Sequence, residues 1–274
     1  MRARVRIGTK VRGVGSLAVL AAGLVLAALI LLLPFSTRAA ELATTGGPKE
    51  LLIAYQVKPA DRPALRAYLT GEGRAHFARL KRDGAIASYQ FVFNPLTGPA
   101  TWDAMAIVSF RTYGHTAKWR EVERTAPGGL GPAGQKLVTG IDTYSADLSW
   151  EATAPNASAE KARALYVIPY TYGAADEYRA YVNGYVIPQV EGWMKEGVLA
   201  RYRIFMNRYP VGRPWDALFV YEYRDLESFG RREETVAKVR GPLRQNPEWK
   251  RLNDIKSTIR SETENTLGEI VVSE

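Results

Sequence analysis

Trp102-Asp103-Ala104-Met105-Ala106-Ile107-Val108 and Trp215-Asp216-Ala217-Leu218-Phe219-Val220-Tyr221 are one segment written twice, 113 residues apart, and their recurrence decides the fold. Sliding the chain by that distance aligns residues 51–112 with 164–225 without a gap, with 13 identities over 62 positions. Unrelated segments share roughly 6% of positions by chance, so a gap-free match at about three times that rate marks a duplicated unit. The matches fall at joints. Arg66-Ala67-Tyr68 meets Arg179-Ala180-Tyr181, Gly71 meets Gly184, Gly84 meets Gly197, Tyr89 meets Tyr202 and Asn94 meets Asn207.

Working outward, both copies read alike. Residues 51–58 and 164–172 are apolar, β-branched or aromatic runs and predict strands. Residues 63–82 and 175–196 predict helices, ended by Gly84 and Gly197. The alternating stretches 85–94 and 198–207 predict second strands, and Pro/Gly-rich loops lead to third strands at 102–111 and 215–223. Second helices follow at 114–125 and 226–239, with closing strands at 142–151 and 268–273. The order is β-α-β-β-α-β twice, a ferredoxin-like α+β arrangement. The copies span 50–152 and 163–274, joined by a small, polar linker at 153–162. They diverge most after the second helix, where 126–135 reads as a loop and 240–259 as partly helical.

The N-terminus predicts the compartment. Arg2, Arg4, Arg6, Lys10 and Arg12 precede a stretch from Gly13 to Thr37 that holds no charge and is rich in Leu, Ala and Val. A basic head, an apolar run and the small residues Thr37 and Ala39 match a secretory leader cut after Ala39, covering residues 1–39. The run also approaches the length of a retained membrane anchor. Both readings stand, and both place the body, after a short linker at 40–49, outside the cytoplasm as a periplasmic, secreted or tethered protein. The membrane is met only through that segment, and only if it is not cleaved.

The formal charge of +9 is largely that segment's: with its six basic residues set aside, 31 basic residues face 28 acidic ones. A nearly balanced body argues against nucleic-acid binding. The absence of cysteine excludes disulfides, thiolate metal sites and a cysteine nucleophile. Asn156-Ala157-Ser158 fits a glycosylation sequon, a triplet common by chance.

Two such modules, each with a tyrosine-bearing first helix, a glycine before strand two and a Trp-Asp pair opening strand three, resemble the dimeric α/β-barrel superfamily. That resemblance implies two sheets paired face to face within one chain, and hence a monomer. It does not imply one activity, since the superfamily includes monooxygenases, haem-degrading enzymes, isomerases and dehydratases.

In such a pairing, alternate residues of the second strand face the other sheet. One set is Ser88, Gln90, Val92 and Asn94, matched by Arg201, Arg203, Phe205 and Asn207. The other set is apolar and suits packing under helices. The first set is polar for a buried face, which admits two readings. Arg201 and Arg203 receive an acidic group in a pocket, with Gln90, Asn94, Asn207 and Glu222 as neighbours; or the strands are exposed at this end and the arginines are solvated or paired to Glu222. Tyr170, Phe219, Tyr221 and Tyr223 line the second copy with aromatic rings, which suits either a flat ligand or a large core. No cofactor is expected. Haem would need an imidazole ligand, for which only His76 and His115 exist. No nucleophile elbow, Walker loop or His-Glu-x-x-His motif occurs. Trp102 and Trp215 are expected to pin strand three, while Asp103 and Asp216 either cap a loop or act as an acid or base. The expected role is binding of a small acidic or aromatic molecule between the sheets. The alternatives are an enzyme, cofactor-free or haem-dependent, and a scaffold of the cell envelope.

Overall fold

Leu51, Leu52, Ile53, Tyr55 and Val57 give the first strand its β-propensity, and Glu50–Val57 forms β1. The computed structural model describes residues 49–96, 101–155 and 164–274, with Gly47, Gly98 and Ala157. The remaining strands are β2 (Ser88–Phe93), β3 (Ala104–Ser109), β4 (Val138–Thr153), β5 (Ala164–Tyr172), β6 (Leu199–Asn207), β7 (Ala217–Tyr223), β8 (Arg260–Glu262) and β9 (Thr266–Ser273). The expected leader or anchor, the sequon residues Asn156 and Ser158 and most of the inter-copy linker lie outside the described residues. Among the described residues no helix is long and apolar enough to cross a membrane.

The first module orders its strands β4-β1-β3-β2 and the second β9-β5-β7-β6, all antiparallel. Neither sheet keeps a free edge. β4 pairs with β1 from Val138 to Ala146, then with β6 from Ala146 to Thr153. β9 pairs with β5 through Thr266–Glu269 and with β2 through Glu269–Ser273. Each closing strand therefore begins in its own module and ends in the other, and eight strands close into a barrel. β1 and β5 run the same way, so the approximate two-fold axis relating the modules lies along the barrel. β8 adds only a short pairing at the end of β5.

The helices interrupt where the matched glycines stand. In the first module Gly71 separates α1 (Arg62–Thr70) from α2 (Glu72–Arg82). In the second, Gly184 lies within a π-helical turn, Val182–Val186, between α5 (Ala175–Tyr181) and α6 (Ile187–Lys195). Gly84 and Gly197 end these helices with φ of 69° and 77°, a left-handed conformation that glycine adopts without strain. Between them in chain order come α3 (Thr116–Thr125) and the short α4 (Pro132–Gln135), the latter inside a segment expected to be a loop. The second module continues with α7 (Leu226–Gly230), α8 (Arg232–Leu243) and α9 (Pro247–Ile259). α9 is the element that makes the copies diverge, and Asn246 caps it by accepting from the Glu248 and Trp249 amides.

The strand pleat sorts the side chains into three cores. Tyr89, Phe91 and Phe93 pack under the first module's helices, and Tyr202, Ile204 and Met206 under the second's. Val92, Phe205, Leu52, Ile107 and Val220 fill the barrel interior between the sheets. Trp150, from the seam half of β4, belongs to the second module's helical core and donates to Asn183 Oδ1 at 2.9 Å. Its strand was made by the first module. Packing therefore crosses the seam as the hydrogen bonds do.

Candidate functional site

At one mouth of the barrel, where β2 and β6 begin, the interior turns polar. Gln90 and Arg203 occupy the same position in the two copies, and across the barrel axis Arg203 Nη2 donates to Gln90 Oε1 at 2.6 Å. The same nitrogen donates to Glu222 Oε1 at 3.0 Å. Arg201, one pleat outward, donates to Glu151 Oε2 at 2.8 Å and stands 3.9 Å from Glu222. Glu222 is wholly buried and Arg203 is 6% exposed. Burial pulls the Arg203 pKa down to about 10, opposed by the Glu222 carboxylate, so the guanidinium stays charged at neutral pH.

The reading of these strands as an exposed edge is therefore corrected: β6 lies between β4 and β7. The arginines are both paired and inside a cavity. That cavity, of about 170 Å3, is lined by Ser88, Gln90, Ser109, Arg201, Arg203, Glu50, Leu148 and Phe205, among others. Arg201 Nε and Arg203 Nε are buried and have no acceptor among the described residues. Burial raises the Glu50 carboxyl pKa, although the Leu148 amide donates to it at 3.2 Å. Glu222 also replaces Ser109 at the matched position of β7. Three charged residues of the second copy thus stand where the first has serine, glutamine and serine.

Asn94 and Asn207 stand apart from this cavity and are not among its lining residues. Asn94 Nδ2 donates to the Trp102 carbonyl at 2.9 Å and its Oδ1 accepts from the Leu96 amide at 2.8 Å. Asn207 repeats this with Trp215 and Tyr209 at 3.0 and 3.1 Å. Both side chains are spent on closing the loop before strand three. Asp103 accepts from the Val57 amide and from Arg62, and Asp216 accepts from the Tyr172 amide at 2.9 Å. They hold strand ends. Presence of the same residue in both copies signalled these structural roles.

A second polar cavity lies under the helices of the second module. Tyr170, Tyr181, Tyr185, Trp193, Tyr221, Arg240 and Arg260 line about 70 Å3 there. Arg260 donates to the Tyr181 hydroxyl at 3.3 Å, and Arg240 to Gln189 Oε1 at 2.7 Å. Trp193 Nε1 is buried without an acceptor. Burial pushes the Tyr181 hydroxyl up to about 12 and that of Tyr221 well above its ordinary value. Both phenols are therefore neutral at ordinary pH. In the first module the equivalent layer is filled by Phe77, 4.8 Å from Phe91 and 6.1 Å from Trp119. The aromatic run of the second copy was legible as sequence; its guanidinium partners came from α8 and β8, far along the chain.

The histidines stand apart from all of this. His76, half-buried on α2, packs edge-on to Phe77, and burial lowers its pKa. His115 ends the turn before α3 and holds Nδ1 2.7 Å from the Thr112 hydroxyl. Neither lines the polar mouth or the second module's cleft. A histidine-ligated haem does not fit either cavity.

No family model matches the sequence, and no curated protein matches it. Among solved structures, an anthrone oxidase-like protein superposes with a TM-score of 0.54 at 9% identity, covering 85% of this chain and 95% of its own. A candidate monooxygenase of Fusobacterium nucleatum superposes with a TM-score of 0.51 at 11% identity, covering 84% of this chain and 95% of its own. At such identities the likeness concerns architecture. With the closed eight-strand sheet and its helical layers, it establishes that the chain has the dimeric α/β-barrel fold, both halves supplied by one polypeptide.

Proposed function

We propose that the protein binds a small molecule bearing a carboxylate or similar acceptor group at the polar mouth of its barrel. The observation that carries this reading is the pair of buried, acceptorless Nε–H groups of Arg201 and Arg203 on one face of β6. Buried donors are nearly always paired, and an unpaired one asks for a missing acceptor. The charge of Arg203 is already met by Glu222, so the ligand is held by hydrogen bonds as much as by charge. A cavity of about 170 Å3 admits a compact ligand, since one of about 150 Å3 accommodates benzene.

A screen of benzoate and short aliphatic carboxylates by thermal shift tests this. Arg201→Ala and Arg203→Lys should each abolish the stabilisation; the lysine keeps charge against Glu222 but lacks the Nε–H. A shift that persists in both variants rejects the site.

The second module's cleft supports another reading, an enzyme without haem that takes only a small group or the edge of its substrate there, since about 70 Å3 is less than benzene needs. Trp193 Nε1, buried with no acceptor among tyrosine hydroxyls and guanidinium groups, favours it. The names of the similar structures, a monooxygenase and an anthrone oxidase-like protein, point the same way. The same screen separates the two: a shift lost in Trp193→Phe and kept in Arg201→Ala belongs to the cleft.

The basic, apolar N-terminal segment places this body outside the cytoplasm in our reading, working as a monomer because its barrel closes internally. Mass spectrometry of the exported protein should find a mature end near Ala40 or an intact Met1 end in the membrane fraction. Recovery of full-length protein in the cytoplasm would refute export.

A further inference from the structure

The opposite mouth of the barrel, where β3 and β7 begin, holds a cavity of about 160 Å3 with a different chemistry. Its lining uses the same positions of both copies, Met105 and Leu218, and Trp102 and Trp215. Tyr144 of β4 tilts against Trp215 at 4.9 Å and 46°. Among the described residues, the charged ones of the lining are Asp142 and Glu264, with neither lysine nor arginine. Two indoles, a phenol and two carboxylates converge on one hollow.

The faces of indole and phenol rings carry negative potential, and carboxylates at the rim add to it. An anion is disfavoured here. A neutral apolar guest would gain nothing from Asp142 and Glu264. A cation already uses part of the surface: the exposed guanidinium of Arg213, on the β6–β7 loop, stands 5.5 Å from the centre of the Tyr144 ring. The volume also selects, because a cavity of about 150 Å3 takes one benzene-sized guest and a trimethylammonium head is smaller still.

We infer that this mouth binds a compact organic cation of the alkylammonium class, its charge over Trp102, Trp215 and Tyr144 and facing Asp142 and Glu264. Aromatic surfaces flanked by carboxylates are suited to quaternary ammonium groups, which cannot donate hydrogen bonds and are cheap to desolvate. The site is independent of the arginine-lined mouth. One barrel then carries an acceptor-binding end and a cation-binding end.

Choline serves as the probe, titrated into the whole chain with tryptophan emission and calorimetry as readouts. Saturable binding is expected. The double variant Asp142→Asn/Glu264→Gln should weaken it about fivefold or more. Arg213→Ala should tighten it, because the guanidinium no longer competes for the Tyr144 face. 3,3-Dimethylbutan-1-ol, the neutral isostere of choline, should bind at least about fivefold more weakly. All three substituted side chains are at the rim, so folding is preserved, and an unchanged far-UV spectrum verifies it. The assignment is overturned if choline does not saturate, if the neutral alcohol binds as well as choline, or if choline affinity is indifferent to the carboxylate variants and to Arg213→Ala.

Discussion

Glu222→Leu should destabilise the protein by about 3–5 kcal/mol, because it strips a buried guanidinium of its charged partner. Arg203 is 6% exposed, and its remaining acceptor would be the neutral Gln90. For a body of this size the melting temperature should fall by roughly 10 °C. The double variant Arg203→Leu/Glu222→Leu should recover most of that loss, since the barrel interior around it is already Ile107, Phe205, Val220 and their neighbours. Thermal denaturation of the two variants makes the comparison. If the double variant is no better than Glu222→Leu, the ion pair holds the barrel together and is not a functional feature kept against the cost of its burial. If it recovers while losing carboxylate binding, the pair is retained for the ligand.

Trp150→Ala is the second large effect, at about 3–5 kcal/mol, from the lost indole and the void it leaves. Trp150 is wholly buried in the second module's core, yet its strand continues the first module's β4. Its removal also deletes the hydrogen bond from its indole to Asn183 Oδ1 in the π-helical turn. Trp150→Phe keeps most of the volume and should cost markedly less. Hydrogen exchange reads the distribution of the damage: protection should fall along both β4 and the Val182–Val186 turn. A loss confined to one module would mean that the seam does not transmit packing.

Much of the architecture was legible because the duplication was. The fixed offset gave the order of strands and helices, and Gly84 and Gly197 marked where the first helices stop. The alternation of Tyr89, Phe91 and Phe93 against Gln90 and Val92 told which face meets the helices. What the sequence does not carry is register. Nothing in Gln90 and Arg203 as letters says that they meet on the axis of the barrel; that follows from how β4 and β9 cross between modules. The expected strand at 142–151 lies within β4; what stayed hidden was its start, 138–141, where Gly140 interrupts the apolar alternation at a bulge in the pairing with β1. Asn94 and Asn207 were drawn into the site because they are polar and share the strand face of Gln90 and Arg203. Their identity in both copies, read beside the neighbouring Trp-Asp pair, was the sign that they hold a turn.

The exchange of closing strands sets a timetable for folding. The edge of β2 is covered by β9, which lies almost two hundred residues further along the chain. Until the polypeptide has been made through Ser273, the first module must wait with an apolar strand edge unpaired. A bare edge of this kind is a template for the wrong partner. Pairings between distant segments are also the slow ones to form. Barrel closure is therefore the last and most exposed step in the making of this protein, and a chaperone that shields β2 at its site of folding would act on that step.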